Sequence, residues 1–163
     1  MKLLESIEQA FRNVKQPNPH ELRGIIGGLG LTSDLLAPWI EEPGLLPYGR
    51  KVMYQSANVE VIVVHLPQGT ETFIHDHGAS VGCAFVLEGA LTNRIYRLGR
   101  EGYAYEEAAH VIEPGKFLYA PRGQIHQMSN AGPGRLVSFH VYAPKLSETK
   151  MFYTYEQVLD YVI

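Results

Sequence analysis

The chain has 163 residues, 45% of them hydrophobic, with a formal net charge of -3; this suits one domain able to bury a substantial core. Its 14 lysines and arginines are scattered, which argues against a phosphate-binding field and so against nucleic acid as a partner. A single cysteine excludes an internal disulfide, Glu5 interrupts the amino terminus before any signal-length apolar run, and no later segment approaches membrane-spanning length; a cytoplasmic protein with no membrane association and no obligatory protein partner is expected.

The first fifty residues read as a helical segment. Leu3, Leu4, Ile7, Ala10 and Phe11 recur at helical spacing and the run stops before Pro17. Asn18-Pro19 has the form of an N-cap followed by a first-turn proline, opening a helix through Leu22, Ile25 and Ile26 that ends near Gly27-Gly28. A third short helix is expected from Thr32 or Ser33, ending before Pro43-Gly44. From about Val52 the period changes. Runs at 59–66, 84–87, 93–97, 116–119 and 135–142 are rich in branched and aromatic residues and are separated by glycine or proline. They predict antiparallel strands over 51–145, closed as a sandwich or barrel so that few edges stay exposed. The segment 146–163, with Tyr155, Val158, Leu159 and Val162 at helical spacing from Met151 onward, predicts a last helix. No linker or repeat divides the chain, so the helices are expected to pack on the β-structure.

His75 and His77 stand one residue apart; on a strand they would share a face and offer two ligands. Alone, such a pair is also an ordinary surface feature. Around it, Gly69, His75-x-His77, Gly82 and Gly89 form one spaced pattern, and Gly115, Pro121-Arg122-Gly123, His126 and Asn130 form another. The two resemble the paired motifs of cupins, with Gly82 where glutamate usually stands. The resemblance implies a mainly β fold, a double-stranded β-helix (jelly-roll) barrel with N-terminal helices packed against it, and a metal held by His75, His77 and His126. Three neutral imidazoles without a carboxylate leave open positions on a redox ion, favouring Fe(II) over a closed zinc site. Asp76 should point away from the metal face, and His20, His65 and His110 read as structural.

Val137 to Tyr142 alternates, with Ser138, His140 and Tyr142 on one face. Such a face is either wet, as on an ordinary half-exposed strand, or it lines a lumen where each polar group needs a partner. Together with Tyr48-Gly49-Arg50, His75-Asp76-His77, His126 and Pro144, this strand makes the chain resemble the cysteine dioxygenase family of thiol dioxygenases over about residues 48 to 144. The resemblance implies an oxidoreductase of L-cysteine catabolism with one Fe(II) per chain, in which the thiol of L-cysteine is oxidised by O2 to the sulfinate. Arg50, with Tyr48 as a further pocket residue, would hold the substrate carboxylate. Tyr142 would place its hydroxyl at the reacting centre, His140 would orient it, and Ser138 would fix His140. A cis bond at Ala143-Pro144 is also implied. Three other readings remain: 3-mercaptopropionate or another small thiol carboxylate as substrate, a non-catalytic ligand sensor, and a cupin isomerase needing no oxygen. Mammalian family members carry a cysteine linked to the active-site tyrosine; this chain has Gly82 there, and Cys83, one step along the strand, should face away from the metal and serve in packing.

Overall fold

The structure is a computed structural model; it describes residues 2–162, with side chains to residue 160. Helix α1 (Leu3–Phe11) buries Ile7 and Phe11. Asn18 caps α2 (Pro19–Gly28) through a reciprocal pair of bonds. Its Oδ1 accepts from the Glu21 N–H at 2.8 Å, and Glu21 Oε1 accepts from the Asn18 N–H at 3.3 Å. A one-turn helix α3 (Ser33–Leu36), capped by Thr32, runs into a 3-10 turn over Ala37–Trp39.

Ten strands follow: β1 (Gly49–Gln55), β2 (Glu60–Leu66), β3 (Ile74–His75), β4 (Val81–Glu88), β5 (Leu91–Leu98), β6 (Ala104–Ile112), β7 (Phe117–Ala120), β8 (Ile125–Ser129), β9 (Leu136–Ala143) and β10 (Met151–Phe152). They form two five-stranded antiparallel sheets, ordered β1-β2-β9-β4-β7 and β10-β3-β8-β5-β6. The fold is mainly β and jelly-roll in form, with the N-terminal helices laid against the first sheet.

Three boundaries differ from the sequence expectation. Strand structure begins at Gly49, inside the segment expected to be helical; β6 and β8 were not expected as strands; and the terminal helix α4 (Tyr155–Val162) starts only after β10. At Met151 and Phe152 pairing with Ile74 and His75 overrides the helical spacing. The expected contribution of the Val162 side chain lies outside the described residues.

Alternation sorts the first sheet into two cores. Val61 and Val63 of β2, Cys83 of β4 and Val137, Phe139 and Val141 of β9 pack with Ile7, Phe11, Leu22, Ile26 and Leu36 of the helices. On the opposite face, Ile62, Val64 and Leu66, Ala84 and Val86, and Leu136 and Tyr142 meet Leu91 and Met128 of the second sheet. Every residue of β9 is buried. At about 25 cal/mol per Å² of apolar surface removed from water, both faces are strongly specified, and a one-residue slip of β9 would exchange their contents. The hairpin after β4 turns at Gly89, whose φ of 79° and whose position against the Arg135 carbonyl, 2.6 Å from where a Cβ would lie, admit only glycine.

Candidate metal and substrate site

His75 ends β3, pairing directly with His126 of β8. Strand pairing stops there, so His77 lies in the following turn and not on a continued strand as the spacing predicted. The turn still returns its ring to the same place. Asp76 points away and holds the backbone: its Oδ1 accepts from the Gly78 N–H at 3.2 Å and the Lys150 N–H at 2.8 Å. Thr72 ties the preceding loop to β8 by accepting the Met128 N–H at its Oγ1, 3.0 Å away, while its carbonyl accepts from Gln127 Nε2 at 2.9 Å.

The three rings converge, with centroids 4.8 to 5.1 Å apart and one nitrogen from each within 4.8 Å of the others. His75 Nδ1 donates to the Phe73 carbonyl at 2.7 Å, and His126 Nδ1 donates to Asn93 Oδ1 at 2.7 Å. Both bonds fix the tautomer that leaves Nε2 as a lone-pair donor. His126 Nε2 and both nitrogens of His77 are buried without a hydrogen-bond partner. Burial lowers the pKa of all three, His77 to about 3, with the neighbouring imidazoles adding to the effect at His77 and His126. Neutral, converging and otherwise orphaned imidazoles fit a divalent transition metal. Asn93, which completes this arrangement, was not singled out from the sequence; its only signal there was a lone amide opening a strand of branched and aromatic residues.

Strand β9 carries a second array into the same space. Ser138 Oγ lies 2.7 Å from His140 Nε2, and His140 Nδ1 lies 3.1 Å from the Tyr142 hydroxyl. The Tyr142 ring packs against His77 with centroids 4.8 Å apart. Burial drives His140 down to about 3 and the Tyr142 phenol well above its ordinary value. A neutral His140 has one donor and one acceptor nitrogen, so the chain runs in one of two senses. In one, Ser138 donates to Nε2 and Nδ1–H donates to Tyr142, whose own O–H is then free to point into the cavity. Gly82 of β4 lies against this ring: a Cβ there would come 2.8 and 2.9 Å from Tyr142 Cδ1 and Cε1.

A cavity of about 330 Å³ adjoins the histidines, lined by Tyr48, Arg50, His75, His77, Tyr142 and Met151 among others. That is near the lower limit for small-molecule sites. Burial raises the Tyr48 phenol, with Arg50 opposing. Arg50 lies on β1 and donates from Nη2 to Glu60 Oε2 at 3.1 Å. Sequence reasoning passed over Glu60, a single carboxylate heading strand β2 ahead of the apolar run Val61 to Val64. Cys83 is on the other side of the sheet, opposite Val141, with its thiol pushed up to about 12 by burial. His65 is buried, its Nδ1 donating to the Glu41 carbonyl at 2.8 Å; His20 lies against Tyr119 with the rings tilted by 36°, and His110 is exposed. The Ala143-Pro144 bond is cis.

Solved structures with this fold include an uncharacterised double-stranded β-helix protein of Klebsiella pneumoniae and a protein of Thermus thermophilus. Each is 21% identical with a TM-score of 0.57; they cover 72% and 68% of this chain, and 93% and 94% of their own. A sugar phosphate isomerase assignment accompanies a third, from Acidithiobacillus ferrooxidans, at 21% identity and a TM-score of 0.51, covering 69% of this chain and 73% of its own. At such identities the likeness establishes the cupin fold and leaves chemistry open. The sequence itself is more specific: residues 47–155, which hold Tyr48, Arg50, the three histidines and the whole of β9, match the profile described as cysteine dioxygenase type I. On that match the chain belongs to the cysteine dioxygenase type I family.

Proposed function

We propose that the protein is an Fe(II)-dependent thiol dioxygenase acting on L-cysteine, with O2 as co-substrate and cysteine sulfinate as product, in the reducing setting of the cytoplasm. The observation that carries the reading is the meeting, around one small cavity, of three converging imidazoles, two of them with buried nitrogens that lack a hydrogen-bond partner, a guanidinium and the Ser138–His140–Tyr142 array. His75, His77 and His126 would hold one iron, and the absence of a carboxylate among them leaves positions for substrate. Bound there, reduced iron would bring the thiolate and dioxygen together and mediate transfer of both oxygen atoms to sulfur.

The chain's own residues set up that encounter. Arg50 offers planar donors to the substrate carboxylate, a geometry that a lysine lacks, and the Tyr48 hydroxyl flanks it. This fixes the direction in which the thiol and amine enter. Tyr142 presents a protonated hydroxyl, since burial keeps its pKa above ordinary, and can donate to developing negative charge on oxygen without ionising. His140, kept neutral, holds that hydroxyl in place, and Ser138 holds His140. The apolar walls at Ile62, Val64 and Met128 limit water around the reacting sulfur.

Oxygen uptake by anaerobically Fe(II)-loaded protein, with the sulfur product identified, tests the proposal. Uptake with L-cysteine matched by sulfinate supports it. Preference for 3-mercaptopropionate would keep the chemistry and replace the substrate, because Arg50 can meet either carboxylate. No uptake with either thiol would overturn the assignment.

A further inference from the structure

Glu60 has no part in the mechanism above, yet it is buried, 6% exposed, at the start of β2 beside the cavity. Both of its oxygens are engaged. Oε2 accepts from Arg50 Nη2 at 3.1 Å, and Oε1 accepts from the Leu146 N–H at 3.1 Å. Arg50 and Leu146 both line the cavity, and in register Glu60 stands directly across from Tyr142.

Stability does not account for this arrangement. Arg50 retains 34% side-chain exposure, so its pairing is partly screened and gains little, whereas removing a carboxylate from water is costly. An apolar residue would fill the position as well. What the pair does is geometric: it occupies one of the guanidinium's five N–H groups and fixes the plane in which the others are presented.

We propose that Glu60 is a positioning residue for recognition of carboxylate-bearing thiols: it aims Arg50 into the cavity and holds the Leu146 wall that faces it. The inference rests on the proposed role of Arg50 as carboxylate clamp. A second effect of Glu60 has the opposite sign, because its charge offsets that of Arg50. If charge damping dominated, removing the carboxylate would tighten anion binding; if aiming dominates, removal weakens it.

The test is anaerobic calorimetric titration of the Fe(II)-loaded protein with L-cysteine and with 2-aminoethanethiol, which keeps the amine and thiol but lacks the carboxylate. Glu60→Gln preserves shape and can still accept from the Leu146 N–H. It should weaken cysteine binding roughly tenfold, the scale of one charge-assisted hydrogen bond, and leave 2-aminoethanethiol within about twofold of wild type. Combined with Arg50→Ala it should weaken cysteine no further than Arg50→Ala alone, since the two act through one contact. Unchanged or tighter cysteine binding in Glu60→Gln, or equal weakening of both ligands, would overturn the proposal. If Arg50→Ala abolishes the preference for cysteine over 2-aminoethanethiol, the clamp stands whatever Glu60 does. A wild-type protein without that preference would refute the clamp and this inference together.

Discussion

Asn93→Ala is expected to weaken metal binding about 10- to 100-fold while leaving the three candidate histidine ligands in place. In the native site His126 Nδ1–H donates to Asn93 Oδ1 over 2.7 Å, and both residues are buried, at 1% and 4% exposure. Water therefore has no ready route to replace the lost acceptor. A buried donor without a partner costs about 1–3 kcal/mol, and at 1.4 kcal/mol per factor of ten that corresponds to one to two orders of magnitude in affinity. The ring also becomes free to adopt the other tautomer, which turns Nε2 from a lone-pair donor into an N–H and removes it from the ligand set. Competition against a chromophoric chelator gives the dissociation constant directly, and circular dichroism shows whether the barrel is intact. Asn93→Asp keeps an acceptor at the same distance and should restore most of the affinity. A folded Asn93→Ala protein that binds Fe(II) as tightly as wild type would refute the argument that this bond governs the ligating nitrogen.

Arg50→Ala should raise the cysteine KM by about 10- to 100-fold, the loss expected for a charge-assisted contact; steady-state oxygen uptake reads this, and an unaltered substrate response would remove Arg50 from the site. Gly82→Ala places a Cβ within 3 Å of the Tyr142 ring, so the ring must move, and turnover should fall about tenfold at unchanged iron content. Cys83→Ala should leave turnover nearly intact and cost about 1–2 kcal/mol of stability, because the side chain packs under the helices; a folded variant with a large loss of activity would show that the thiol reaches the site. His140 is held at about 3 by burial, with His77, Arg50 and His75 adding to the effect. Its unfolded counterpart titrates near 6.5, so between these values the unfolded chain binds more protons. Stability of the metal-free protein should therefore fall as pH drops below about 6.5, by up to about 1.4 kcal/mol per pH unit from this residue. Thermal melts across that range check the slope, and a flat profile would contradict it.

The parts of the fold visible in the sequence are those specified locally. Asn18-Pro19 marked α2 because capping uses neighbours in the chain, and the alternation of residues 137–142 marked β9 because its two faces differ in chemistry, apolar toward the helices and polar toward the cavity. Strand β6 was hidden for the opposite reason: AYEEAAHVI is largely exposed and rich in helix formers, and only its register with β5 makes it a strand. The His75-x-His77 pair and the alternating polar set of β9 drew notice by spacing, but His126 joined the candidates, and the polar set acquired a role, only through the resemblance to a known family. Asn93 and Glu60 escaped notice, since their partners His126 and Arg50 reach them only through the two-sheet arrangement. Even at His77 the sequence led to the right location through the wrong local structure, a turn instead of a strand.

Strand β9 is enclosed on both sides for its whole length, whereas Arg50 and Tyr48 are half-buried and Leu46, Phe73, Thr149 and Met151 lie exposed at the mouth of the cavity. This divides the molecule into a part that can vary and a part that cannot. A substitution on β9 disturbs two cores at once, so the Ser138–His140–Tyr142 array is locked to the barrel's own integrity. The rim has no such obligation. Adaptation to a longer or bulkier ligand, by natural drift or by engineering, has its room there, where the shape of the cavity can change while the Ser138–His140–Tyr142 array is left alone.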